Sequence, residues 1–569
     1  MKKLLLLAAA ALPFLSALAQ SPASFELNNI APPHVRDVPG FSSDYLNNLA
    51  YFYMSEEGRD LTGLVREDAF DFFTYATYSE THNGTGVWRL QFHSDNAQAL
   101  MVYFNDFHLP EGASMYIYNE DGSYFEGPID HSENNAHKQF VTNDIFGEDI
   151  VVEYIQPAGV VGSPSLMVRG LGYIFRYAEP QAANDRGSSD PCQVDVACPE
   201  AEPWDCQIDS AVRLRITDAG QIFVCSGVMV NTTARDCRQY LLSALHCTEG
   251  VSTSDLGLLQ VRFDYNRQNC GTGGGLGSRN RTGVLFLADS NDGGGNSGSD
   301  FVLYEIEDEI PLEWDPYYAG WDATGVGSVW GAGIHHPSGD VKKISFYTTA
   351  LTSQWWGAPG SHWGVRWSET ESGWGVTEGG SSGSPIYNSN GLIVGTLTGG
   401  LSACEAGGAG PGTGPTQLDF YGKMSHHWEL NPNVAAEKLR VWLDPLGSGP
   451  NATETPTKVM HGAYRSEGAL PCGVAGQCDA VSIDEQLELS QRFTVSPNPT
   501  SGDVFIRTDA SVSLSLIRLY DSQGRMIEEM LNPTAVSRFD VSRYEGGVYY
   551  VYIETIDGKG QTQRVVKLK

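Results

Sequence analysis

Two short strings in this chain could do acyl-transfer chemistry. One is Ser243-Ala244-Leu245-His246-Cys247, and the other is Gly380-Ser381-Ser382-Gly383-Ser384-Pro385. A serine hydroxyl is a poor nucleophile at neutral pH. It needs a base within hydrogen-bond reach and N–H donors aimed at the oxyanion that forms. Ser382 lies among Gly380, Gly383 and two further serines, so the backbone can turn sharply there. That turn brings the amides of Gly380 and Ser382 towards one point, as an oxyanion hole requires. His246 is the candidate base. Between the strings runs Ser297-Gly298-Ser299-Asp300-Phe301-Val302-Leu303. A carboxylate at the mouth of an apolar strand is costly unless paired, and the imidazole N–H of His246 is the expected partner of Asp300. Asp289 and Asp292 are nearby competitors for that role. The order His246, Asp300, Ser382 matters, because unrelated hydrolases place the same groups in other orders.

The elements that must hold these groups read as strands. Tyr240-Leu241-Leu242 leads into His246, and Pro385-Ile386-Tyr387 and Leu392-Ile393-Val394-Gly395-Thr396-Leu397 follow Ser382. With 64 glycines and few long runs of helical period, the chain reads as all-β. Its 569 residues are too many for one core. Lys2 and Lys3, the apolar run Leu4 to Leu18 and the small-residue site Ala17-Leu18-Ala19 read as a signal peptide, 1–19, with the mature chain starting at Gln20. Residues 20–186 read as a cysteine-free β domain, with strands at Val87–Phe92 and Ser114–Tyr118 and a turn at Asn119–Gly122. The Gly/Ser passage Asn184 to Asp190 then looks like an exposed, cleavable joint. Residues 187–446 form the region that carries the candidate chemistry. It ends in a short helix, Ala435–Leu443, that Pro445 and Gly447 should stop. Residues 447–493 read as a linker with one small loop closed by Cys472 and Cys478. Residues 494–569 are β again, with strands at Val504–Ile506, Leu514–Tyr520, Val548–Ile553 and Arg564–Leu568.

Export makes disulfides the expected state of the 10 cysteines, eight of which lie between Cys192 and Cys404. A formal charge of −33 argues against nucleic acid or an anionic membrane as a partner. No stretch after the signal peptide is long and apolar enough to span a membrane. His335-His336 and His426-His427 resemble metal ligands, but adjacent histidines on a strand point to opposite faces. The acids of Asp289-Ser290-Asn291-Asp292-Gly293 are out of register for a calcium loop. No metal and no cofactor is expected.

Residues 187–446 resemble the bacterial lysyl endopeptidases, a branch of the chymotrypsin-fold serine proteases. The matching pieces are Cys192 to Glu200, Ser243 to Cys247, Gly298 to Phe301, Gly333-Ile334-His335-His336-Pro337 and Thr377 to Pro385. The resemblance implies a double β-barrel with the triad His246, Asp300 and Ser382. It implies the disulfides Cys192–Cys404, Cys198–Cys270 and Cys225–Cys247, which leaves the extra Cys206 and Cys237 for each other. It implies that 20–186 is a β-rich propeptide cut off at Arg186–Gly187, a segment expected to fold on its own and restrain the protease. Trypsin-type enzymes place the acid of the primary pocket six residues before the nucleophile, where this chain has Val376. The lysyl endopeptidases use an aspartate after the last cysteine of the domain, and it matches Asp419. Beside it, Thr398 stands before Gly399 and Gly400 where the family has a substrate-lining histidine.

Residues 494–569 resemble the C-terminal sorting domains of the type IX secretion system of Bacteroidetes, which are small β-sandwiches. The matching pieces are Ser496 to Gly502, Leu519 to Gly524, Gly546-Gly547-Val548-Tyr549 and Arg564 to Lys567. Together the resemblances imply a secreted serine endopeptidase made as a zymogen and acting as a monomer. It would cut protein or peptide substrates after lysine, with arginine second, and be handled by the type IX machinery on its way through periplasm and outer membrane. The competing readings are a protease of broad or apolar specificity, and a catalytically dead protease fold serving as a surface adhesin.

Overall fold

Strands dominate the computed structural model. It describes residues 21–176 and 189–465, apart from 237, 276–278, 295–297, 407, 432–433, 450–451 and 454. It also describes 493–568, apart from 498–499, 509–513, 521–525, 532, 535 and 556–559. The signal peptide, the Arg186–Gly187 joint, Cys237 and the Cys472–Cys478 loop lie outside the described residues. The chain divides into two units, Met1–Gly476 and Gln477–Lys569.

Near its start the first unit has a helix, α1 (Ser43–Glu57), that ends at Gly58 in the left-handed region, φ 66°. A left-handed terminal residue is a common helix stop and favours glycine. Three long antiparallel strands follow: β1 (Asp60–Asp71), β2 (Ala99–His108) and β3 (Ser165–Ile174). A second sheet around Gly86–His93 and Asp149–Gln156 faces them.

The region with the candidate chemistry is built from two curled, mostly antiparallel sheets. The first contains β4 (Ala211–Asp218), β5 (Gln221–Met229), β6 (Tyr240–Ser243), β7 (Gln260–Phe263) and β8 (Val302–Ile306). The second contains β9 (Gly331–His335), β10 (Lys343–Tyr347), β11 (Ala358–Val365), β12 (Pro385–Tyr387), β13 (Ile393–Gly400) and β14 (Asp419–Lys423). This is the two-barrel, chymotrypsin-like arrangement. Its strands are rich in β-branched and aromatic residues, which suit a pleated surface buried on one or both faces. In β5 and β6 nearly every side chain is buried.

Three expectations need correction. The N-terminal segment does not stand apart. β1 pairs with β3 on one side and with β5 on the other, so segment and first barrel form one continuous sheet. They also share one core, in which Leu61, Phe92 and Leu171 lie with Val212, Phe223 and Leu241. The linker begins later than 447. Val459–Met460 pairs with Trp321–Asp322, and Ala463–Tyr464 pairs with Tyr317–Tyr318. Tyr464 also donates to Asp209 at 2.7 Å, so short pairings override a turn-rich composition. Finally, Ala435–Leu443 is not one helix, although its last piece does end at Leu443, ahead of Pro445. The helical run breaks earlier, into Ala435–Glu437 and Leu439–Leu443, and Pro445 opens a further short turn, Pro445–Ser448. Proline fits a first helical turn because its missing N–H would be unpaired there anyway.

In the second unit, a three-stranded sheet (Phe493–Ser496, Asp503–Thr508, Val536–Asp540) and a four-stranded sheet (Leu514–Tyr520, Met526–Leu531, Gly547–Thr555, Gly560–Lys567) form a small sandwich. Val504, Ile517, Phe539, Val551 and Val565 fill its core.

Candidate active site

His246 sits on a single tight turn, Leu245–Cys247, at the end of β6. The Cys225–Cys247 disulfide ties that turn to β5, and a 22-residue separation of this kind adds about 3 kcal/mol. Asp300 lies just before β8, which pairs with β6, so the two strand ends meet. Its carboxylate accepts twice from His246, from the backbone N–H at 3.0 Å and from Nδ1 at 2.7 Å. Asp300 is fully buried and adopts a left-handed backbone, φ 59°. That unusual conformation is consistent with a carboxylate turned towards the imidazole. Burial disfavours the imidazolium of His246, but the facing carboxylate outweighs it and holds the imidazole above its ordinary value. Asp300 in turn is held below the carboxylate range, burial notwithstanding, by the His246 charge and hydrogen bonds. Of the two competitors, Asp292 accepts from the N–H of Asp300 at 2.7 Å and so orients it from behind. Asp289 accepts instead from the N–H of Asn291.

Ser382 arrives from the second barrel, just before β12. Its carbonyl accepts from the N–H of Ser226 on β5 at 2.8 Å. A Cβ on Gly383 would collide with Ser243 Oγ and crowd the N–H of Ala244, two residues from His246. Glycine, at φ 79°, lets the Ser382 turn come this close to the strand end that bears His246. Ser382 is half-buried and its hydroxyl makes no side-chain hydrogen bond among the described residues. Catalytic hydrogen bonds are often long before substrate binds. Gly380 also needs its left-handed backbone, φ 83°.

Asp419 opens β14 and is fully buried. Its carboxylate accepts from Trp367 Nε1 at 2.6 Å, Thr377 Oγ1 at 2.7 Å, the Ser402 N–H at 3.0 Å and the Ser402 hydroxyl. Gly400, opposite it on β13, leaves no room for a side chain above the carboxylate. Burial pushes its pKa up, and no cation pairs with it among the described residues. Val376 is buried in the apolar core beside Trp367 and Tyr421. Thr398 Oγ1 hydrogen-bonds His362 Nε2 at 2.9 Å and helps to hold the Asp300 pKa down.

Cys192–Cys404, Cys198–Cys270 and Cys225–Cys247 are bonded, and Cys206 is also in a disulfide. The histidine pairs are absorbed in buried hydrogen bonds. His335 lies between Ser381 and Ser345, and His336 stacks on Tyr265. His427 lies between Ser299 and Thr396, on a helical turn rather than a strand. Among the described residues, His93, Asp95 and Glu148 could reach one metal ion, as could Asp190 and Glu378 with Cys404, whose sulfur is bonded to Cys192. Neither group includes a triad residue.

Several residues at the site carry no local sequence signal. Ser402, Thr377 and Trp367 surround Asp419 from three separate segments. His362 reaches Thr398 across the β13–β14–β11 register. Asp60, on the N-terminal segment, places its carboxylate against Gly379, beside Gly380 of the candidate oxyanion loop.

The buried histidines set a pH limit. Burial holds His362 down at about 4, and burial with Lys343 nearby holds His335 down at about 3, against an ordinary 6.5. Below about pH 6.5 the unfolded chain takes up protons at these sites that the folded chain refuses. Stability is therefore lost as pH falls from about 6.5 to 4, by on the order of 3 kcal/mol for His362 alone. Thermal unfolding should show a lower Tm at pH 4.5 than at pH 7. His362→Gln should shrink that difference, and an unchanged difference would contradict this account.

The two-barrel fold and the buried His246–Asp300 pair beside the Ser382 turn define the class: a serine-protease domain of chymotrypsin type. Residues 186–422 match the family "Lysyl endopeptidase, C-terminal domain", and residues 494–567 match "Secretion system C-terminal sorting domain". One chain thus joins a segment similar to the lysyl endopeptidase C-terminal domain to a type IX sorting domain, and the latter marks it for the cell surface or the extracellular space. It is 26% identical to a lysyl endopeptidase of Pseudomonas aeruginosa over 311 residues, 52% of this chain. The chain spans 64% of the length of that relative. Among solved structures it is similar to the thermostable serine protease AL20 from an extremophilic microorganism (13% identity, TM-score 0.27, 38% of this chain and 93% of that one). It is also similar to a Glu endopeptidase (17% identity, TM-score 0.26, 42% of this chain and 92% of that one).

Proposed function

We propose that this protein is an exported serine endopeptidase, made as a zymogen, that cleaves after lysine and less readily after arginine. Ser382 Oγ attacks the scissile carbonyl while His246 Nε2 takes its proton. Asp300 fixes the tautomer through Nδ1 and stabilises the imidazolium, and the amides of Gly380 and Ser382 hold the oxyanion. His246 then returns the proton to the leaving amine. Water hydrolyses the acyl-enzyme with His246 again as base.

The observation that carries the substrate class is the Asp419 carboxylate. It is buried, ringed by neutral donors and without a cation among the described residues, under the Gly399–Gly400 strand. A buried acid of this kind favours a positively charged side chain as its missing partner. The zymogen reading is supported by Asp60 against Gly379, and cutting at Arg186–Gly187 would free the segment that carries it. Protein or peptide substrates, the type IX machinery as partner and a monomeric state complete the reading.

One preparation tests it. Active enzyme from the culture medium should begin at Gly187 on N-terminal sequencing. On a denatured protein mixture its cleavage sites should be dominated by lysine, then arginine, far above leucine or phenylalanine. A profile that is flat across side chains, or full activity in a chain that begins at Gln20, would defeat it.

A further inference from the structure

The N-terminal segment enters the catalytic cleft as an added strand. β1 lies antiparallel to β5, with Asp60 opposite Val224, Leu61 opposite Phe223, Gly63 opposite Ile222 and Leu64 opposite Gln221. The N–H of Val65 donates to the Gly220 carbonyl at 2.8 Å, and Thr62 Oγ1 donates to the Ile222 carbonyl at 3.1 Å. The same edge of β5 runs on into Cys225, bonded to Cys247, and into Ser226, whose N–H reaches the Ser382 carbonyl. Residues 59–60 therefore arrive beside the nucleophile on the first-barrel side. Gly399, Gly400 and Asp419 flank it on the second-barrel side. If Asp419 takes the side chain before the scissile bond, the chain after that bond must leave across β5.

At this position Arg59 is seated on the protease. Its side chain is only 6% exposed. Nη1 lies 2.7 Å from Asp218 Oδ2, and the guanidinium carbon lies 3.8 Å above the centre of the Phe223 ring. Glu57 of the segment adds a looser contact at 3.5 Å. A buried guanidinium is costly unless it is paired and stacked, and here the close partners both belong to the first barrel. Arg59 is also near enough for its charge to act on the His246 imidazole. When the segment departs, an aromatic face and a carboxylate lose their cation together.

We propose that Phe223 and Asp218 form a subsite for a basic side chain on the leaving-group side of the cleft. In the precursor Arg59 fills it. After the segment departs, a lysine or arginine among the first residues after the scissile bond takes its place. The enzyme would then prefer clustered basic residues over an isolated lysine. This subsite rests on the endopeptidase reading above.

The test uses processed enzyme and peptides with lysine before the bond and lysine, glutamine or glutamate in the first positions after it. The lysine peptide should show kcat/KM about tenfold above the glutamine peptide, the scale of a partly screened ion pair with a cation–π face. Asp218→Asn should bring that ratio close to one. Equal rates in the wild type overturn the subsite, while hydrolysis of the glutamine peptide keeps the endopeptidase reading intact. If no peptide is cut, that reading fails, and hydrogen exchange still decides the seat of Arg59. In the uncleaved precursor carrying Ser382→Ala and Arg186→Gln, Arg59→Gln should speed exchange at the amides of residues 60–65 by about tenfold, through loss of the Asp218 and Phe223 contacts. Unchanged exchange overturns the proposal whatever the catalytic outcome.

Discussion

Replacing Ser382 with alanine should lower amide hydrolysis by about a million-fold, the usual cost of losing the nucleophile of a serine-protease triad. The effect is large because the remaining groups have nothing to activate. His246, Asp300 and the oxyanion amides act on a hydroxyl that is gone, and what survives is the modest catalysis of binding and electrostatics. The same substitution should leave the fold intact. Ser382 is half-buried and its hydroxyl makes no side-chain hydrogen bond among the described residues, while backbone bonds hold the turn, its own carbonyl to the Ser226 N–H and the Gly383 N–H to the Leu397 carbonyl among them. Alanine keeps these backbone groups, so the change in stability should stay within about 0.5 kcal/mol. Thermal unfolding and turnover on a lysyl peptide, measured on one preparation, separate the two effects. Activity within tenfold of wild type would remove Ser382 from the role. A large fall in Tm would mean that lost activity reports unfolding rather than lost chemistry.

Much of this site is legible in the sequence because its chemistry is local. The Ser382 turn needs small residues on both sides, and Gly380 and Gly383 stand at left-handed positions that the spacing suggests. His246 follows a short apolar strand and precedes a cysteine, and the structure uses both features to fix the ring. Asp300 was readable as a carboxylate in need of a partner. What stayed hidden is long-range. β1 and β5 pair across about 160 residues of sequence, and an alternating strand pattern does not name its neighbour. The segment therefore read as a separate domain, although its core is continuous with the first barrel. Ser402, Thr377 and Trp367 converge on Asp419 from separate loops and strands, so only the folded chain reveals that the acid is ringed by neutral donors with no charge among them. Residues 459–464 looked like linker because short edge pairings need few β-formers. Asp419 carries no distinctive spacing, only an acid followed by aromatic residues, and resemblance to a family alone singles it out.

The second large effect concerns Asp419. A lysine side chain entering a buried pocket must shed water from its ammonium group, at a cost of several kcal/mol unless a carboxylate meets it. Val376 cannot serve, being apolar and packed in the core. Asp419 can. Its carboxylate is fully buried, and its hydrogen bonds come from Trp367, Thr377 and Ser402, which carry no charge to compensate its own. Asp419→Asn should therefore lower kcat/KM for lysyl peptides by roughly two to four orders of magnitude. Reaction with a small uncharged acylating reagent should persist, because His246, Asp300 and Ser382 are untouched. The pH dependence provides an independent check. Burial raises the pKa of Asp419, so protonation removes the pocket charge at a higher pH than for an ordinary aspartate. Lysyl-substrate affinity should weaken as pH falls through that raised value, and the asparagine variant should lack this limb of the profile. A variant that keeps lysine preference would mean that another acid lines the pocket. A variant that loses reaction with the small reagent as well would mean that Asp419 supports the fold around Trp367 rather than selecting the substrate.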